Sequence, residues 1–115
     1  MNSIVKVVQP SGILDGASTN QLRREISDVV ENGANIVLVD FQDVTFINSS
    51  ALGALVSTLK LVRSAGAELF LCSLTEQVKM MFNLTKMNRV FKTFASRDEF
   101  EQKVRGEVTS QDSAV

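Results

Sequence analysis

Three small polar residues, Asn48-Ser49-Ser50, separate an apolar stretch ending at Ile47 from the run Ala51-Leu-Gly-Ala-Leu-Val-Ser-Thr-Leu-Lys-Leu-Val-Arg63. The run has the length of a helix and stops before Gly66, so the helix begins at the serine pair. The first turn of a helix has unpaired N–H groups and the positive end of the dipole, and both favour an anion. A phosphoryl group on a serine there could be held without unfolding the helix. Serine is equally a preferred N-cap residue, and spacing alone does not separate a switch from a cap. Ala51, Gly53 and Ala54 make the first turn small enough for a neighbouring backbone or a partner to approach. Gly53 costs about 1 kcal/mol relative to Ala in a helix, so it calls for a packing or docking reason.

Other chemistry is poorly supplied. The 115 residues include no His, Trp or Tyr, which excludes Ser-His-Asp triads, Cys-His pairs and His-ligated metals within the chain. There is no Gly-x-Gly-x-x-Gly, Walker loop or Cys-x-x-Cys, so no cofactor and no metal is expected. Lys and Arg total 12 against 13 Asp and Glu, and all seven aromatics are Phe, which leaves no footprint for nucleic acid. No eighteen-residue apolar stretch occurs and the N-terminus lacks a signal-peptide pattern, so neither a membrane nor export is expected. The single Cys72 forbids an internal disulfide and suits a cytoplasmic location. A binding module without catalysis is the expectation.

The elements that must position the serines follow from periodicity. Ile4 to Val8 is a β-branched strand cut by Gln9-Pro10-Ser11-Gly12, and Ile13-Leu14 resumes an apolar stretch. After Asp15, Leu22, Ile26, Val29 and Val30 recur at helical spacing until Asn32-Gly33, a natural C-cap. Asn35 to Phe41 is continuous, short and β-branched, which predicts a central strand buried on both faces. Gln42 to Ile47 is read as a short connection with apolar anchors. Ala67 to Cys72 is a strand, Thr75 to about Leu84 a helix burying Val78, Met81 and Phe82, and Val90 to Phe94 a last strand. Ser96-Arg97-Asp98-Glu99 is a capping box opening a final helix through about Val104. Strands alternating with helices predict an α/β fold with a mostly parallel sheet, one domain over 1–105 and a flexible tail over 106–115. Cys72 reads as core, Arg23, Arg24 and Arg63 as solvated helix faces, and Met80, Met81 and Met87 as either core or a soft docking patch.

Four segments carry a resemblance. Asp40-Phe-Gln-Asp-Val-Thr-Phe-Ile-Asn-Ser-Ser-Ala-Leu-Gly-Ala-Leu55 resembles the signature of STAS domains, specifically anti-sigma factor antagonists. Gly12-Ile-Leu-Asp15 resembles the family's Gly-x-Leu-Asp, Gly66 to Cys72 its third strand, and Leu84-Thr-Lys-Met-Asn-Arg-Val-Phe91 its Leu-Thr-x-Leu-x-x-Val-Phe. The likeness runs from about residue 4 to 105, with the serine motif its specific part.

The resemblance implies a small mixed sheet with packed helices and a protein that binds rather than catalyses. Unphosphorylated, such a protein binds an anti-sigma factor that is also a GHKL-type serine kinase, and a metal-dependent serine phosphatase reverses the phosphorylation. The implied acceptor is Ser49, with Ser50 a flanking contact and cap, and Asp15 beside that helix end. Asp15, Asn48, Ser49, Ser50, Ala51, Leu52 and Gly53 are the implied partner-binding residues. Asn48 stands where the family usually has Asp, and Ala51 where it usually has Gly. Two other readings remain: a STAS scaffold that accepts no phosphate, in a signalling complex or beside a transporter, and a receiver-type phosphotransfer domain. The receiver needs an acidic pair after the first strand, where this chain has Gln9-Pro10.

Overall fold

Asn35 to Phe41 is apolar apart from its first residue and a single acid, and its five apolar residues call for burial. The computed structural model, which describes residues 4–105, places it at the centre of the molecule. The strand β3 (Ile36–Asp40) is buried at all five positions. It lies between β1 (Val5–Val8) and β5 (Glu68–Cys72), and β6 (Lys92–Phe94) completes a four-stranded sheet of order β1-β3-β5-β6. Each of these pairings is parallel, as the strand and helix alternation predicts.

Both faces of that sheet are covered. Val37, Val39, Leu69 and Leu71 join a large core with Leu22 and Ile26 of α1 (Gly16–Glu31), Leu55, Leu59 and Val62 of α2 (Ser49–Ser64), and Val78 and Phe82 of α3 (Glu76–Leu84). Ile36, Leu38, Phe70 and Cys72 point the other way and pack with Phe100 of the short α4 (Arg97–Phe100), which continues as a π-helical turn over Glu101–Arg105. Phe70, Phe94 and Phe100 meet there with ring centroids 5.6 to 5.8 Å apart.

The segment read as a mere connection is a strand. β4 (Asp43–Ile47) pairs in parallel with β2 (Ser11–Leu14) as a separate two-stranded ribbon. Its exposure runs out, in, out, out, in, which breaks the alternation that marks a strand in sequence. The cause is a bulge, with the register shifting between Gly12 and Ile13 and Gly12 at φ 76°. The last strand is shorter than predicted, because Met87–Arg89 forms a 3₁₀ turn first. Val78 and Phe82 are buried as expected, while Met81 packs at the core's edge only partly buried. The tail expected over 106–115 lies outside the described residues.

Candidate functional site

The ribbon decides where the site is. β2 leads directly into α1 and β4 directly into α2, so parallel pairing of the two strands delivers two helix N-termini side by side. The Asn48 N–H donates to the Leu14 carbonyl at 3.2 Å. Two residues on, a Cβ added to Gly16 would stand 3.5 Å from the Ser50 Cβ. These two approaches bracket Asp15 against Ser49.

Each helix start is capped by a residue other than the serine pair. Asn48 Oδ1 accepts from the Ala51 N–H at 3.0 Å, with Asn48 in extended conformation, so Asn48 is the N-cap of α2. The cap function expected of Ser50 is thereby corrected: the side chain that can reach the N3 amide is the one before the helix. Ser49 and Ser50 are exposed, and neither hydroxyl has a hydrogen-bond partner among the described residues. Asp15 caps α1 in a reciprocal box, its carboxylate accepting from the Ser18 N–H at 2.9 Å while Ser18 Oγ accepts from the Asp15 N–H at 2.9 Å. The Ser18 amide and hydroxyl hold the Asp15 carboxyl below its ordinary value of 3.8. Asp15 is therefore a fixed, exposed negative charge beside Ser49.

The remaining predicted contacts divide by burial. Ala51 and Leu52 are 0% and 5% exposed and belong to the core, on the face of α2 that packs against α1 and the four-stranded sheet. Their side chains face the core, so what this turn presents to solvent beside them is the exposed Ser49, Ser50 and Gly53. Gly53 is exposed, and a Cβ there would meet nothing within 4 Å. Helix packing is thus not the reason for that glycine. The open end consists of the exposed Asp15, Ser49, Ser50 and Gly53 with the half-buried Asn48 between them.

Sequence reasoning missed the residue that anchors this end from behind. Gln77 of α3 accepts from the Ile47 N–H at 2.9 Å and donates to the Ile47 carbonyl at 3.2 Å, replacing a ladder partner for the last residue of β4. Thr75 Oγ1 donates to the Val44 carbonyl at 3.0 Å. Both bonds span about thirty residues of sequence, and no local pattern announces them. The methionines form no patch: Met80 is exposed, whereas Met81 and Met87 pack against the core.

Asp40, the acid a receiver reading would need, is committed elsewhere. It is 1% exposed, accepts from Arg97 Nε at 2.6 Å and from the Gln42 N–H at 3.0 Å, and Arg97 reaches on to Gln9 Oε1. Gln9 in turn donates to Asp43 at 2.7 Å. Among the described residues no three acidic, Cys or His side chains gather as metal ligands. Cys72 is fully buried, and burial pushes its thiol above the ordinary value. Among the described residues no helix is long and apolar enough to cross a membrane.

Known proteins resemble this chain in sequence and fold. The family model of the STAS domain matches residues 2–100. The anti-sigma-B factor antagonist of Bacillus subtilis is 30% identical over 83 residues, which cover 72% of this chain and 75% of the relative. A crystal structure described as an anti-sigma factor antagonist of Thermotoga maritima superposes with a TM-score of 0.78 at 27% identity, covering 88% of this chain and 87% of the other. The anti-sigma factor antagonist SpoIIAA in its unphosphorylated form has the same fold, with a TM-score of 0.73 at 20% identity over 91% of each chain. With the family model spanning most of the chain and the fold in agreement, the chain belongs to the STAS domain family.

Proposed function

We propose that the chain is an anti-sigma factor antagonist working by phosphorylation-switched binding. With Ser49 unmodified it engages an anti-sigma factor of the GHKL serine-kinase class through Asp15, Asn48, Ser49, Ser50 and Gly53. Phosphorylation of Ser49 releases it, and a metal-dependent serine phosphatase resets it. The relatives named as anti-sigma factor antagonists support the general role.

The observation that carries the switch is an exposed Ser49 hydroxyl that the helix does not use, since Asn48 supplies the cap. Ser49 Oγ can therefore take the γ-phosphoryl group of ATP, with ADP leaving and the hydroxyl proton passing to a base on the kinase, while α2 keeps its cap. The product carries about −1.5 to −2 charges at neutral pH. On the free protein that charge meets the favourable end of α2, so the fold tolerates it. Beneath a bound partner it stands next to the fixed Asp15 carboxylate and away from water, where unpaired charge is expensive. Asn48 is neutral, which leaves Asp15 as the acid beside the phosphate.

The test is to incubate the protein with a GHKL-type anti-sigma kinase and ATP and to map the phosphopeptide. Phosphate on Ser49 is the expected result. Phosphate on Ser50 alone, or none on the wild type while the kinase modifies another substrate, overturns the switch and leaves the scaffold reading in its place.

A further inference from the structure

The ribbon does something besides delivering two helix ends. Gly12 pairs with Val44, but Ile13 pairs with Phe46, so Thr45 is the extra residue of the bulge. The shift sets Leu14 opposite Ile47, both buried, and Ile13 opposite Phe46, which are 63% and 46% exposed. Without it, Ile13 would lie opposite the polar Thr45. The bulge thus aligns two large apolar side chains as neighbours on the open face of the ribbon, with Gly12 at positive φ on the facing strand where the register shifts.

That pair is continuous with the serine end. Ile13 stands two residues before Asp15 and Phe46 three before Ser49, and three extended residues span at most about 10 Å. We propose that Ile13 and Phe46 are the apolar part of the docking surface that Ser49 switches, covered in the complex by an apolar patch on the anti-sigma partner. This rests on the function proposed above. Two side chains fall far short of the roughly 800 Å² per partner of a standard interface, so the pair needs the adjoining polar end to complete a binding surface. A symmetric contact with a second copy would set the same patch against itself and bring two exposed Asp15 carboxylates into one interface. A partner of different chemistry avoids that repulsion. The apolar pair supplies affinity and the serine supplies the on-off charge.

The experiment titrates the GHKL-type anti-sigma kinase into full-length wild type, Ile13→Thr, Phe46→Ala and the double variant, with Val7→Thr as control. Val7 is comparably exposed but sits on β1 of the four-stranded sheet. Thermal melts confirm folding, and Ile13→Thr keeps a β-branched strand residue even where Phe46→Ala loosens the ribbon. The expected result is binding about tenfold weaker for each single variant, weaker again for the pair, and unchanged for Val7→Thr. If phosphorylation at Ser49 releases the kinase but the ribbon variants bind like wild type, this proposal fails and the switch stands. If the ribbon variants weaken binding while phosphorylated and unmodified protein bind alike, the switch fails and the docking surface stands. Absence of any binding to the kinase overturns both. A wild type that sediments as a dimer and a Phe46→Ala variant that sediments as a monomer identify the occupant as a second copy and overturn the proposal.

Discussion

Two polar clusters lie at the carboxyl ends of parallel strands, one just after β4 at Ser49 and one on the last residue of β3 at Asp40, and they are built in opposite ways. At Asp40 the side chains are tied to one another: the buried carboxylate holds Arg97 and the Gln42 amide, and Arg97 and Gln9 carry the chain of bonds to Asp43. At Ser49 the helix is already satisfied by Asn48, and the hydroxyls of Ser49 and Ser50 have no partner among the described residues. Polar groups consumed by the fold hold it together, whereas polar groups left over are available to something else. The contrast fits the proposed division, stability at the first cluster and recognition at the second.

The sharpest test puts a charge where the second cluster is open. Ser49→Glu should weaken binding of the anti-sigma partner by about 2–5 kcal/mol, the cost of an unpaired charge under an interface. Its thermal stability should be unchanged or raised by about 0.3–1 kcal/mol through the helix dipole. Ser49→Ala should match wild type in both calorimetric titration and melting, because Asn48 is the cap. A Ser49→Glu protein that binds normally would move the docking surface away from this end.

The opposite pattern is expected at Asp40. Arg97→Met leaves a carboxylate that is 1% exposed without its countercharge. Losing one member of a buried pair costs about 3–5 kcal/mol, and the half-exposed Arg97 admits enough water to reduce that to about 2–3 kcal/mol. Urea unfolding should show the loss while partner affinity holds. If affinity fell and stability did not, the division between the two clusters would be wrong.

Asn48→Ala separates cap from switch within the serine end itself. Removal of the cap should cost about 0.5–2 kcal/mol of stability in denaturant titration, where Ser49→Ala and Ser50→Ala cost nothing measurable. The smallest effect is at Gly53. With open space where its Cβ would be, Gly53→Ala should raise stability by about 0.5–1 kcal/mol and weaken partner binding. A stabilised variant that binds as well as wild type would strip Gly53 of any docking role.

Much of this molecule could be read along the chain. The three long helices, the central β3, the Asn32-Gly33 stop and the serine pair at the start of α2 depend on periodicity and on bonds between residues three or four apart. Such signals are local, so they survive in sequence. The four motif segments carried the family, and the same serine motif pointed to the site.

What lay outside that reading is what long-range pairing creates. β4 was hidden because its bulge, imposed by β2 some thirty residues earlier, breaks the two-residue alternation. Ala51 and Leu52 look like members of an exposed motif until the fold brings them into the main core. Asp40 and Arg97 are 57 residues apart, and Gln77 finds Ile47 across 30. Neither a serine's freedom nor an acid's commitment is a property of its neighbours in sequence. Both depend on which distant groups arrive, and only the folded chain brings them together.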